Sequence, residues 1–141
     1  MNVNQVQSKK QLEDAYQVRT KVFIEEQHVP PEIEVDEHEG DAVHFVGYLN
    51  DQPIAASRLR IIDDSGKLER ICVLKDHRGQ HYGVQMIEAM EQYLTQQNVS
   101  KSKLNAQTHA EDFYKKLGYH TISNEFMDAG IPHVTMVKEL N

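Results

Sequence analysis

The stretch that most restricts the fold is residues 67–94, "KLERICVLKDHRGQHYGVQMIEAMEQYL". It opens as an apolar strand, "KLERICVL", and turns between Gly79 and Gly83. Val84, Ile87, Met90 and Leu94 then recur at helical spacing, which predicts a helix reaching about Gln97. "KSKLNAQ", residues 101–107, reads as a second strand. Strand, helix and strand in such short succession make a crossover that lays the two strands parallel and packs the helix on their sheet. The chain is thereby directed to an α/β architecture.

The flanking segments extend that sheet. "NVNQVQ" alternates and reads as a first strand. "SKKQLEDAYQVRTKVFIEEQ" opens with Ser8 and Gln11 at capping-box spacing and carries Leu12, Ala15, Arg19 and Val22–Phe23 on a mostly apolar stripe. "VPPEIEVDEHEGD" reads as a loop holding Glu32, Glu34, Asp36, Glu37, Glu39 and Asp41. "VHFVGYL", "PIAASRLRII" and "KLERICVL" are divided by "NDQ" and "DDSG", which predicts an antiparallel meander. "THAEDFYKKLGY" reads as a short helix between a Thr108–Glu111 capping box and a stop at Gly118, and "YHTIS" and "HVTMVKE" close as strands. The predicted order is β–α–β–β–β–α–β–α–β–β on a mixed (α+β) sheet. With no repeat, low-complexity tract or Gly/Ser linker, residues 1–141 read as a single domain.

Charge and composition exclude several classes. A net charge of −7 argues against nucleic acid, whose phosphates need a basic face. Nothing approaches the ~18 consecutive apolar residues of a membrane span, and "MNVNQVQSKK" carries no apolar leader. The single cysteine, Cys72, excludes an internal disulfide and fits a reducing compartment. The expectation is a cytoplasmic protein with no nucleic-acid or membrane partner.

The turn "RGQHYG" has a physical use of its own. Backbone N–H groups at a helix start lack internal partners and sit at the positive end of the helix dipole. The amides of Gly79, Gln80, His81, Tyr82, Gly83 and Val84 could cradle a phosphate or diphosphate, with Arg78 adding a bidentate contact. The spacing alone equally suits a glycine-led helix start beside a surface arginine. Neither a P-loop nor a dinucleotide-binding pattern is present.

"VLKDHRGQHYG" and the helix after it resemble the coenzyme A-binding signature of the GNAT N-acetyltransferase superfamily: glutamine or arginine, two residues, glycine, one residue, then glycine or alanine. Arg78 matches the first position and Gly83 the last, while His81 replaces the middle glycine. His81 keeps the main-chain amide, and histidine tolerates unusual backbone angles better than most side chains. "LNAQTHAEDFYKKLGY" is similar to the superfamily's second signature. "VRTKVFIEEQHVPPEIEVDEHEGDAVH" and "FMDAGIPHVTM" are similar to its ElaA-like and YjcF-like bacterial branch, so the resemblance covers nearly the whole chain.

The resemblance implies transfer of acetyl from acetyl-CoA to an amine by direct attack in a ternary complex. It implies main-chain contacts to the cofactor from Ile71, Cys72 and Val73, with the Val73 N–H as oxyanion donor. It places polar cofactor contacts at Asn105 and Gln107 and makes Tyr114 the acid that protonates the departing thiolate. The other reading of Tyr114 is a packed helix tyrosine. Glu69 is the first candidate for the base that deprotonates the amine. Simple alternation gives it one face with Ile71 and Val73, and partial burial there would raise its pKa. The competing reading is a cross-strand ion pair with Arg58 or Arg60. His133 is a second candidate base, since imidazole exchanges protons at neutral pH.

Cys72 lies in an apolar strand without a neighbouring base, which makes it packing rather than nucleophile. His38 and His44 stand among carboxylates in "DEHEGDAVH" without metal-ligand spacing, so no metal is expected. The acidic loop could draw a cationic acceptor. The acceptor amine, small molecule or protein, cannot be read from these residues, and a non-catalytic acyl-CoA sensor or interaction module on the same fold is the alternative function. Many relatives in the superfamily pair as dimers, which implies a possible homodimer.

Overall fold

The computed structural model describes residues 1–140 and is organised by one eight-stranded sheet. β1 (Asn2–Gln5), β2 (Val43–Leu49), β3 (Gln52–Ile62) and β4 (Ser65–Val73) form the antiparallel part. α3 (Tyr82–Gln96) then carries the chain across, and β5 (Lys101–Gln107) runs parallel to β4, as the crossover requires. β8 (Ile131–Glu139) is antiparallel to β5, and both β6 (His120–Thr121) and β7 (Phe126–Asp128) pair with β8. The expected mixed α/β sheet is the sheet observed. One strand more than expected is present, because "FMDAGIPHVTM" folds into a β7–β8 hairpin whose turn holds Ala129 and Gly130 at positive φ.

Each face of the sheet has its own helix. Met86, Ile87, Met90 and Leu94 of α3 pack on Phe45, Ala55, Leu59, Leu68, Leu104 and Met136. On the opposite face, Ala15, Val18 and Val22 cover Val46, Ala56 and Cys72. Ala15 and Val18 belong to α1 (Lys9–Arg19), whose Ser8 cap accepts from the Gln11 N–H at 3.2 Å. Gln11's own side chain takes the N–H of Gln7 instead of Ser8, so the box closes one residue early.

Three local outcomes depart from the sequence reading. The first helix widens into a π-helix over Thr20–Glu26, closed by Gln27 N–H bonding to Val22 O at 3.1 Å. A short helix, α2 (Pro31–Glu34), starts at the second proline inside the acidic loop. The Thr108–Glu111 box does not form: residues 108–110 are a 3-10 turn, α4 is Glu111–Lys116, and the Glu111 carboxylate accepts from the Thr121 hydroxyl. Gly118 does stop this helix, with φ 99. Among the described residues no helix is long and apolar enough to cross a membrane.

β4 also carries a bulge. The β3–β4 register shifts between Ala56 and Arg58, and Arg70, on the bulged strand, has φ 55. The extra residue resets the alternation. Glu69 reaches Arg58, Arg70 reaches Glu34 on the α1 side, and Cys72 packs with Ala15 and Val18. Ile71 and Val73 pack instead with the α3-side core. The expected sharing of a face by Glu69, Ile71 and Val73 is therefore corrected.

Candidate active site

The parallel β4–β5 pairing covers only Gly66–Leu68 against Ser102–Leu104, although both strands continue beyond it. The strands splay, and the β5-facing backbone of β4 past Leu68 has no strand partner. A cavity of about 470 Å³ opens at the split. Ile71, Cys72 and Val73 of β4, Asn105 and Gln107 of β5, Tyr114 of α4 and His133 of β8 all border it. Glu69, Arg78, Tyr82 and Gly83 border it too, while Gly79, Gln80, His81 and Val84 complete the adjoining turn.

That turn needs two left-handed residues, Gly79 at φ 81 and His81 at φ 65. A Cβ built on Gly79 meets nothing within 4 Å, so the turn is open outward there. α3 begins without a side-chain cap, and the amides of residues 79–84 donate to no acceptor among the described residues. Six consecutive amides without a protein acceptor at a helix start have the chemistry that an anion requires. Arg78 is engaged differently from expectation. Both terminal nitrogens donate to Glu26 at 2.7 Å, and Nε donates to Val73 O at 2.9 Å. A carboxylate thus occupies the fork that was expected to meet phosphate, and Arg78 ties the end of β4 to the π-helix.

Glu69 has become the centre of an ion cluster. Arg58 and Arg60 donate to it at 2.9 and 2.8 Å, and Lys67 lies 3.2 Å away. Burial pushes this carboxyl up, but the Arg60 hydrogen bond and the charges of Arg58 and Lys67 outweigh it and hold the pKa at about 2. The expected rise is corrected, and the cross-strand ion pair is the arrangement observed.

His133 is buried, stacked 6.1 Å from Phe126, with Nδ1 2.6 Å from Ile131 O. A carbonyl oxygen only accepts, so Nδ1 carries the hydrogen and Nε2 keeps the basic lone pair. Tyr114 lies edge-on to Phe113 and Tyr119, at 5.1 and 6.0 Å between centroids. Its hydroxyl meets no partner among the described residues, and burial pushes its pKa up to about 12.

The polar ends of β5 are held within the protein. Asn105 accepts from Thr135 at 2.9 Å, and Gln107 donates to Gln27 at 3.2 Å. Cys72 points its thiol at Ala56 O, 3.7 Å away, and burial pushes the thiol up to about 12, which fits packing. The acidic loop is partly tied up within the protein. Glu34, Asp36 and Glu39 are taken up by Arg19, Arg58 and Arg70, while Glu32, Glu37 and Asp41 stay exposed. Phe23, Arg70 and Asp128 also border the cavity and escape sequence reasoning, since neither a π-turn, a bulge nor the extra hairpin marks the hydrophobic spacing.

Comparison with known proteins gives this geometry a context. Residues 5–140 match the family model described as an acetyltransferase (GNAT) domain. The chain is 48% identical to an uncharacterized N-acetyltransferase of Bacillus subtilis, YjcF, over 94% of this chain and 95% of that one. It is 31% identical to the protein ElaA of Escherichia coli over 92% of this chain and 88% of that one. The crystal structure of Escherichia coli ElaA superposes with a TM-score of 0.85, covering 98% of this chain and 99% of that one. An aminoglycoside 6'-N-acetyltransferase complexed with coenzyme A shares the fold at 12% identity, TM-score 0.80, over 100% of this chain and 98% of that one.

Proposed function

The chain belongs to the GNAT acetyltransferase family, and we propose that this acyltransferase moves the acetyl group of acetyl-CoA to a primary amine by direct attack in a ternary complex, residues 1–141 acting as one domain. The observation that carries this reading is the run of open amides from Gly79 to Val84 beside the unpaired edge of β4. A diphosphate fits the first, and an extended amide-bearing arm fits the second as a strand would. The fold-mate that holds coenzyme A supports the same choice of ligand. Asn105 and Gln107 border the same slot as further polar contacts.

Bound acetyl-CoA supplies the activated acyl carbon. The residues of this chain supply position and proton traffic. His133 Nε2, free to accept, takes the proton that the attacking ammonium must lose. The Val73 N–H donates to the carbonyl oxygen as negative charge gathers there. Tyr114, kept fully protonated by burial, gives its proton to the departing sulfur. Glu69, held at about 2 between two arginines, is a weak proton acceptor and serves to anchor Arg58 and Arg60.

The test is thiol release from acetyl-CoA across a panel of primary amines, run beside thermal shift with coenzyme A. The reading expects stabilisation by coenzyme A and release that depends on the added amine. Absence of both overturns it; stabilisation without release from any amine favours a binding module.

A further inference from the structure

Building on the acetyl-transfer reading, we infer that the acceptor amine also carries a carboxylate, and that Arg70 receives it in the wall of the cavity. Arg70 sits on the β4 bulge at φ 55, a backbone state that a side-chain-bearing residue rarely adopts. Bulges near active sites re-aim side chains, and strain of this kind persists where the surroundings enforce it. Here the re-aimed side chain borders the cavity.

The charge around it is not balanced. Arg19, Arg58, Arg60, Lys67 and Arg70 form one connected set of ion pairs with Glu34, Asp36, Glu39 and Glu69. Within this ion-paired set five cations meet four carboxylates, so the pairs alone leave one cation in excess. Arg19 and Arg58 are enclosed, with side chains 0% and 1% exposed, whereas Arg70 is 23% exposed.

The hydrogen bonds of Arg70 leave one end open. Nε donates to Glu34 at 2.9 Å, and Nη2 donates to the carbonyls of Ile33 and Glu34 at 3.1 and 3.2 Å and to the Asp36 carboxylate at 3.4 Å. Nη1 donates to nothing among the described residues. Glu34, Asp36 and the two carbonyls fix the guanidinium in place and leave the N–H groups of Nη1 for an incoming anion. Lys67, also at the cavity edge, has its ammonium 3.2 Å from Glu69. Asp128, the last residue of β7 at another wall, forms no ion pair among the described residues, so an acceptor with a cationic and an anionic end finds a partner for each.

The experiment compares an amino acid with its own carboxamide as acceptor, at saturating acetyl-CoA. Because replacing the carboxylate by an amide also lowers the pKa of the neighbouring ammonium, the rates are compared per concentration of free amine, which leaves the carboxylate as the difference scored. The expected kcat/KM is at least about tenfold higher for the carboxylate, carried mainly by KM. Arg70→Lys and Arg70→Gln should bring that ratio toward one while leaving the thermal shift with coenzyme A unchanged, and Lys67→Gln should preserve it. Equal turnover of the pair, preference for the amide, or acetylation of polyamines in place of both overturns the inference and leaves acetyl transfer standing. Loss of discrimination in Lys67→Gln alone overturns the assignment to Arg70. Absence of thiol release from every amine, together with absence of a coenzyme A shift, overturns the underlying reading as well.

Discussion

The proton traffic proposed here turns on His133, whose tautomer is fixed by a carbonyl oxygen that can only accept. His133→Gln removes the basic Nε2, and its expected cost is about a hundredfold or more in kcat, read from amine-dependent thiol release. A fall below about threefold would move the base elsewhere. Tyr114 makes the companion case. Its hydroxyl has no partner to lose, so Tyr114→Phe should leave unfolding free energy within about 0.5 kcal/mol of wild type. The same change should lower kcat by at least about tenfold, because the sulfur then departs without an acid. That both residues border one cavity, and that Arg58 and Arg60 partner Glu69, was legible in the sequence. The outcome at Glu69 was not, because a strand carboxylate that is half-buried can be raised or lowered, and only the number of cations within reach decides which.

Strand and helix spacing revealed the sheet and the crossover, while the candidate site at the β4–α3 turn was marked by the family resemblance. The spacing missed what a single inserted residue does. The bulge at Arg70 moved Glu69 away from the face of Ile71 and Val73, and the π-helix brought Glu26 to Arg78 and Gln27 to Gln107. Neither leaves a signature in a period of 2 or 3.6. The β4–α3 turn itself yields a prediction, since His81 holds φ 65 where the family signature has glycine. A non-glycine residue there costs roughly 1 kcal/mol or more. Glycine would relieve that cost while adding about 0.5–1 kcal/mol of unfolded-state freedom. His81→Gly should therefore change stability by less than about 1 kcal/mol in urea titration, with a thermal shift by coenzyme A at least as large as wild type. A smaller shift would mean that the imidazole itself contributes to the cradle.

The ion cluster joins α1, α2, β3 and β4, so its energetics concern the fold as a unit. Arg58 is the junction, donating to Asp36 and Glu39 and pairing with Glu69. Removing one partner from a buried cluster strands the others, and Arg58→Met is expected to cost about 3–5 kcal/mol at neutral pH. The pH dependence identifies the source of that loss. Against the upward push of burial, arginine contacts hold Glu69 at about 2, and Asp36 and Glu39 are likewise held below the usual carboxylate range. Carboxylates depressed in the folded state stabilise it fully above their unfolded pKa, near ~4.5, and stop doing so as pH falls through the folded value. Wild type should thus lose stability between about pH 4.5 and pH 2, with more protons bound by the unfolded chain than by the native one. In Arg58→Met those carboxyls are less depressed and titrate closer to their unfolded values, so the variant has less to lose. The gap between the two proteins, measured by urea unfolding at pH 7, 4 and 3, should narrow as the solution is acidified. A gap that stays constant over that range would show that Arg58 stabilises by packing its hydrocarbon stem and not by its charge.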